Sequence, residues 1–425
     1  MNSDNIVDLA VANTDSNDVT ILLGDGTGGF IPTEEAITVG TSPRDLVLVD
    51  INGNGLLELV TANADSNNIT ILFGDGTGGF SPRLPITLNA SGSALVIRDL
   101  NGDDIADVVT VNNDSNEVTI FLGDESRNFT PLEPISVGDT PRALGLGDFN
   151  GDGFLDVVTA NELSDDVTII LSDGIGGFMA AETLPVGNSP RATGVDDFNG
   201  DGFVDVVTAN ALSDTVSILF GDGTGGFPQT DRVSVGDSPR ALALGDLNGD
   251  GFVDIVTANA RSNDVTILLG TGDDSFDAAG PVVTGDDPEV IGTGDFNGDG
   301  FLDVVTTNPE SNNLTILLGD GTGNLVPLAA PIMVVNPPTA LEIANLNEDD
   351  LSDIVTANVD SNTITIFLAD ELGGFSSTPV PVDDAPGALS LGDLDGDGFV
   401  DIVTTNLDAN NATILLGDGT GNFLE

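Results

Sequence analysis

Apolar residues fall in short runs separated by clusters of Gly, Asn, Asp and Pro, and no stretch sustains a helical period. The clearest segment starts at Asp246. An Asp-rich loop leads into the β-branched run Val253–Ala258 (strand B), and an Asn/Asp/Ser turn leads into Val265–Leu269 (strand C). A glycine-rich turn then precedes a strand opening on Phe276 (strand D), while a Gly-Asp-Ser-Pro-Arg turn introduces Ala241–Leu244 (strand A). Runs of this length rich in Val, Ile, Thr and Leu between turn residues are strand signals, so the chain reads as all-β.

The segment repeats. Its opening residue recurs at Asp50, Asp99, Asp148, Asp197, Asp246, Asp295, Asn345 and Asp393, 48 to 50 residues apart. A truncated first copy occupies residues 1–49, where Asp8-Leu-Ala-Val-Ala-Asn aligns with Asp254-Ile-Val-Thr-Ala-Asn. Four strands at this period predict a β-propeller of four-stranded antiparallel blades, forming one domain over residues 1–425. The B strands are apolar on consecutive residues, as expected of a sheet covered on both faces. The first copy supplies B, C and D, and the last supplies A, B and C before stopping at Phe423-Leu-Glu. Eight blades completed by pairing the terminal strands is the preferred count, within a range of seven to nine. Nine blades with three-stranded ends and a fragment of a longer array are the alternatives.

Composition narrows the chemistry. The 425 residues carry 70 acidic and 9 basic side chains, all nine of them Arg, for a net charge of −61. That acidity alone suggests a disordered chain, but 40% hydrophobic residues and a mean hydropathy of +0.15 supply material for a core. Lys, His, Cys, Trp and Tyr are absent. Disulfides, thiolate zinc sites, histidine triads, Schiff bases and P-loops are thereby excluded. The charge repels nucleic acid and anionic membranes, and no apolar run approaches a spanning length. No nucleic-acid partner and no membrane insertion are expected.

The strongest chemical signal is D-x-N/D-G-D-G-x-x-D, intact in five copies. Hard oxygen donors at positions 1, 3, 5 and 9, a backbone carbonyl at 7 and Gly at 6 are what Ca²⁺ coordination requires. The candidate ligands are Asp148, Asn150, Asp152, Phe154 and Asp156; Asp197, Asn199, Asp201, Phe203 and Asp205; and Asp246, Asn248, Asp250, Phe252 and Asp254. They continue with Asp295, Asn297, Asp299, Phe301 and Asp303, and with Asp393, Asp395, Asp397, Phe399 and Asp401. Two degenerate loops are expected to bind more weakly: Asp99, Asn101, Asp103, Ile105 and Asp107, and Asp50, Asn52, Asn54, Leu56 and Glu58. About five strong sites and up to seven in all are expected. The loop Asn345–Asp353 and the truncated loop with Asn2, Asp4 and Asp8 are not expected to hold metal. Asp and Gly also make tight turns without metal, but several carboxylates within nine residues repel one another when no cation is present. An EF-hand would continue to a Glu at position 12; here that position is Thr, as at Thr159 and Thr257.

The succession DxNGDGxxD, VVTAN and VTILLGDGTGGF resembles the FG-GAP/VCBS repeats that build integrin-α-like propellers, and the resemblance covers essentially the whole chain. It implies Ca²⁺ binding in the A-to-B loops named above. It leaves the activity open, since such propellers serve as adhesion modules, lectins, enzyme accessory domains and lyase scaffolds.

Arg44, Arg142, Arg191 and Arg240 share one repeat position at the start of strand A. They either form a cationic crown able to hold a carboxylate or sulfate, or pair with nearby Asp such as Asp139 or Asp237 and with Asp residues of the B-to-C turns; local pairing is preferred. Phe30, Phe80, Phe129, Phe178, Phe227, Phe276 and Phe375 are expected as anchors between blades, and Phe at loop position 7 is expected to pack inward.

The functional expectation is a non-catalytic, calcium-binding extracellular or cell-surface module for adhesion or recognition. Its partner would be an extracellular protein or glycan, and the chain would form part of a larger multidomain protein. No enzymatic activity is expected. A calcium-dependent lectin, an accessory or catalytic propeller of a polysaccharide lyase or hydrolase, and a structural spacer are the alternatives.

Overall fold

A computed structural model describes residues 1–4, 6–27, 29–33, 36–51, 54–63, 65–66, 68–82, 86–87, 92–124, 129–334, 338–409 and 411–424. Among them the helices are two 3₁₀ turns, Pro309–Ser311 and Val359–Ser361, and no helix is long and apolar enough to cross a membrane. Everything else regular is strand. The fold is an all-β propeller architecture of antiparallel blades whose strands follow the sequence order A-B-C-D, and among the described residues nine sheets are present.

Blade 4 is representative. Strand A is Pro141–Gly147, B is Asp156–Asn161, C is Asp166–Ser172 and D is Phe178–Pro185. In blade 6 strand A spans Pro239–Gly245, B Asp254–Asn259 and C Asp264–Gly270, extending the predicted runs by one or two residues at most ends. Thr faces Thr across the B–C pair, as at Thr159 and Thr168. Every residue of strand B is buried in blades 3 to 8, as the consecutive apolar pattern requires. Strand D lies at the outer edge and is largely exposed. In five blades it is broken into two short pieces that both pair with C, as at Phe276–Ala278 and Val282–Val283.

Nine blades replace the preferred count of eight. The first sheet holds Leu9–Asn13 (B), Asp18–Gly24 (C) and a divided D, and the last holds Pro386–Gly392, Asp401–Asn406, Asn411–Gly417 and its own short D at Phe423–Leu424. The final Phe pairs with Gly417. Each terminal repeat therefore builds a sheet from its own strands.

By packing density the chain falls into two units. One comprises residues 1–195, 203–208 and 219–230; the other comprises residues 196–202, 209–218 and 231–425. Within each, the cores lie between successive blades. In the first unit Phe149, Val158, Val167, Ile169, Val206, Leu219 and Phe227 form one such cluster across blades 4 and 5. In the second, Phe296, Val305, Ile316, Ile354 and Phe367 do the same for blades 7 and 8.

Phe at position 2 of the loop makes a recurring contact with the Phe that opens, or just precedes, the next blade's strand D. The pairs Phe149–Phe227, Phe198–Phe276 and Phe296–Phe375 stand edge to face with centroids 5.6, 6.2 and 5.9 Å apart. The role of blade anchor expected of Phe227, Phe276 and Phe375 is met, and Phe80, Phe129 and Phe178 also pack against the interblade clusters.

Candidate metal centre

Each A-to-B loop wraps around its own carboxylates. In blade 4 the two Asp148 oxygens accept the N–H groups of Gly151 at 2.7 Å and Gly153 at 2.8 Å. Asn150 Oδ1 accepts the Asp152 N–H, and Asp152 accepts the Phe154 N–H, both at 2.9 Å. Positions 1, 3 and 5 thus share one concave turn of backbone. The loops opening at Asp197, Asp246, Asp295 and Asp393 repeat this pattern at position 1, holding Gly200, Gly249, Gly298 and Gly396 at 2.7 to 2.8 Å.

Position 9 differs from the rest. Asp156 is fully buried, with one oxygen accepting the Phe149 N–H at 2.9 Å and the other the Ser172 N–H at 2.7 Å. It ties the loop to the end of strand C. Asp107, Asp254, Asp303, Asp353 and Asp401 stand likewise. Burial pushes the carboxyls of Asp107, Asp156, Asp254, Asp303 and Asp353 up to about 6, against the pull of the two N–H donors. The neighbouring loop carboxylates add repulsion: Asp148 and Asp152 act on Asp156, and Asp246 and Asp250 on Asp254. Asp401 is raised for the same reasons.

Among the described residues, Asp393, Asp395 and Asp401 of the last blade each place an oxygen within 4.8 Å of the other two. Asp395 supplies the charged donor for which the other four intact loops have Asn. A Ca²⁺ ion with oxygens at about 2.3–2.6 Å bridges such separations. The donor set, all oxygen and surplus in negative charge, fits this ion.

The degenerate loops keep the fold of the intact ones. Asp104 takes position 6 with φ 62°, where Gly153 has φ 88°, and Asp99 still holds the Gly102 and Asp104 N–H groups. Asp50 holds Gly55 at 2.7 Å, and Glu58 accepts the Ile51 N–H from full burial. Asn52 lies outside the described residues. In the loop at Asn345, Glu348 and Asp350 adopt φ of 60° and 66°, and Asn345 accepts the Asn347 N–H at 3.3 Å. The first copy keeps the position-9 arrangement, with Asp8 meeting the Met1 nitrogen at 3.0 Å and the Gly24 N–H at 3.0 Å.

Position 7 is corrected. Phe203 and Phe301 are 42% and 41% exposed rather than packed inward, and the residue that faces the core is position 2, with Phe149, Phe198 and Phe296 at most 1% exposed. The position-7 ring instead stands against a glycine of its own blade's C-to-D turn, as Phe203 does at Gly223 and Phe301 at Gly321. A Cβ at Gly102 of the preceding loop or at Gly174 of its own C-to-D turn would strike Phe154, and Gly200 and Gly272 frame Phe252 in the same way.

The arginines pair locally, with partners other than Asp139 and Asp237. Arg142 and Arg191, on adjacent blades, both meet Glu162 of a B-to-C turn, at 3.2 and 3.1 Å, and Arg240 meets Asp287 at 3.1 Å. The side chain of Arg44 lies outside the described residues.

Two networks were not anticipated. The Asn that ends strand B is buried and donates across to strand C: Asn259 reaches Asp264 at 2.7 Å and Thr266 at 3.0 Å. Its signal was the Asn closing every VTAN-type run. In several blades the residue ending the B-to-C turn then accepts an N–H from the D-to-A turn that leads into the next blade, as Asn116 does from Thr140, Asp214 from Ser238 and Asn263 from Asp287.

The FG-GAP-like repeat profile matches residues 1–61, 50–110, 99–159, 197–257, 246–306, 295–355 and 345–404. The chain belongs to the FG-GAP-like repeat family. Each FG-GAP match runs from one A-to-B loop to strand B of the next blade, so the family unit straddles the interblade contact described above. No curated protein matches the sequence.

Solved structures similar to this FG-GAP chain include the *Vibrio cholerae* biofilm matrix protein Bap1, 11% identical with a TM-score of 0.49 over 97% of this chain and 84% of that one. A *Pseudomonas aeruginosa* periplasmic gluconolactonase is 18% identical, TM-score 0.47, over 81% and 98%. A putative 6-phosphogluconolactonase from *Bacteroides fragilis* is 19% identical, TM-score 0.48, over 80% and 96%. The expectation that the chain is not an enzyme is therefore withdrawn, because folds of this kind occur in proteins described as lactonases. At these identities the likeness concerns fold and assigns no activity to the FG-GAP chain.

Proposed function

We propose that the chain is a calcium-stabilised extracellular or cell-surface propeller that presents a recognition surface to a protein or glycan, as a module of a larger protein. The observation that carries the calcium reading is the convergence within 4.8 Å of Asp393, Asp395 and Asp401, the last of them the buried position-9 carboxylate. The same loop recurs intact in four other blades. Carboxylates packed this way destabilise one another unless a cation stands among them, and extracellular calcium is concentrated enough to fill sites of modest affinity.

Recognition is supported by the regularity of the scaffold, which places turns of varied sequence on a repeated frame. Large apolar side chains stand exposed on several turns, among them Leu163, Ile175, Leu212 and Leu372. The test is a thermal melt in EGTA and in millimolar Ca²⁺. Each independent site filled at 100 times Kd contributes about 2.7 kcal/mol, so several sites raise Tm by many degrees. An unchanged melt overturns the calcium reading.

A further inference from the structure

The FG-GAP loops of this chain are not equivalent, because one receives a carboxylate from its neighbour. In the C-to-D turn of blade 6, Asp274 stands where most other turns place Gly, such as Gly225, Gly323 and Gly373. It adopts φ 59°, a left-handed conformation that Gly would take without strain. Its Oδ1 accepts a hydrogen bond at 2.7 Å from Asn199 Nδ2, at position 3 of the blade-5 loop. The same Nδ2 donates to Asp201 at 3.1 Å, while Asn199 Oδ1 accepts the Asp201 N–H at 3.0 Å.

The Asn199 amide is therefore held at both ends. With its nitrogen fixed between two carboxylates, its oxygen is held on the side of the Asp201 N–H, where it can serve as a metal ligand. In the sister loops Asn248 and Asn297 donate to the position-5 carboxylates Asp250 and Asp299, and the turns of the following blades carry Gly323 and Gly373 at the place of Asp274, so neither supplies a second acid there.

We propose that Asp274 is a positioning residue for the blade-5 calcium site, which it makes the tightest of the Asn-containing loops. This rests on the calcium reading of the loops. Asp274 orients the Asn199 oxygen and adds a negative charge just outside the ligand set. Outer partners of this kind change metal affinity by about 10- to 100-fold, and ligand charge count tunes calcium affinity in the same direction.

The chain's lack of Trp and Tyr provides a site-specific readout. Phe203→Trp installs a single Tb³⁺ sensitiser at position 7 of the blade-5 loop, and Phe301→Trp installs one in the blade-7 loop as a reference. Tb³⁺ emission, displaced by Ca²⁺, is titrated in each background with and without Asp274→Gly, after circular dichroism has shown that each variant folds. Asp274→Gly restores the residue that most other turns use at this place.

The expected result is a tenfold or greater loss of affinity at the Phe203→Trp site and no change at the Phe301→Trp site. Asp274→Asn, whose Oδ1 can still accept the Asn199 N–H, recovers part of the loss. A change below about twofold at the Phe203→Trp site overturns the role of Asp274 and leaves the calcium reading standing. Absence of Ca²⁺-displaceable emission from both tryptophans overturns the calcium reading and this inference with it.

Discussion

Phe149 and Phe227 meet edge to face, at an interplanar angle of 66°, across the junction of blades 4 and 5. The first ring lies in the loop that follows strand A and the second just before strand D of the next blade, 78 residues later, so this contact is a long-range determinant of blade packing. Replacing Phe227 with Ala removes a buried aromatic ring and is expected to destabilise the folded state by about 3–5 kcal/mol. A double-mutant cycle with Phe149→Ala, read by chemical denaturation, should give a coupling of about 0.5–1.5 kcal/mol.

Positions 5 and 9 of a loop should separate metal binding from folding. Asp152→Ala removes an exposed donor, so the metal-free melt should stay within about 1 kcal/mol while the stabilisation by Ca²⁺ shrinks. Asp156→Ala leaves the Phe149 and Ser172 N–H groups buried without acceptors, at about 1–3 kcal/mol each. It should therefore lower the melt in EGTA as well as in Ca²⁺. Equal behaviour of the two variants would refute the division of labour.

Metal-free protein should be most stable in mildly acidic solution. Asp107, Asp156, Asp254, Asp303 and Asp353 have folded-state values near 6, above the ordinary 3.8. The folded chain therefore binds these protons more readily than the unfolded chain, and stability rises as pH falls from about 6 towards 4. The turn carboxylates Asp25, Asp75, Asp222, Asp320 and Asp418 behave oppositely, since hydrogen bonds led by Thr27, Thr77, Thr224, Thr322 and Thr420 hold them below 3.8. Their contribution is present above 3.8 and lost below it. Melts in EGTA across pH should show a maximum between about 4 and 6, and added Ca²⁺ should move it towards neutrality.

Glu162→Gln should matter little. Arg142 and Arg191 are 49% and 32% exposed, and solvent screens pairs of that kind to about 0–1 kcal/mol each. Denaturation at low and high salt should show a difference that vanishes with ionic strength. A larger, salt-resistant effect would mean that Glu162 does more than link two blades.

The blade and its loop were legible because both rest on local signals. Strand B announces itself by consecutive apolar residues, and the loop by carboxylates at fixed spacing around Gly. What escaped was set by neighbours. The core role of Phe149 rather than Phe154 depends on which loop residue meets the next blade, and the two are indistinguishable by hydrophobicity. The pairing of Arg191 with Glu162 likewise joins residues of adjacent blades, and the ninth blade turned on whether Phe423–Leu424 formed a strand two residues long. Asp274 was visible as a departure from GDGTGG, but its meaning required knowing that this turn rests on the preceding loop.

The Phe154 ring, framed by Gly102 before it and Gly174 beside it, has a consequence for how such a chain lengthens. The aromatic and the glycines that receive it occupy fixed places in the same repeat unit, so a duplicated blade arrives carrying both halves of its own joint. Extension by copying therefore needs no compensating change at the new junction. Glu348, with φ 60°, stands at that receiving place in the loop at Asn345, where the other full copies of the loop have Gly.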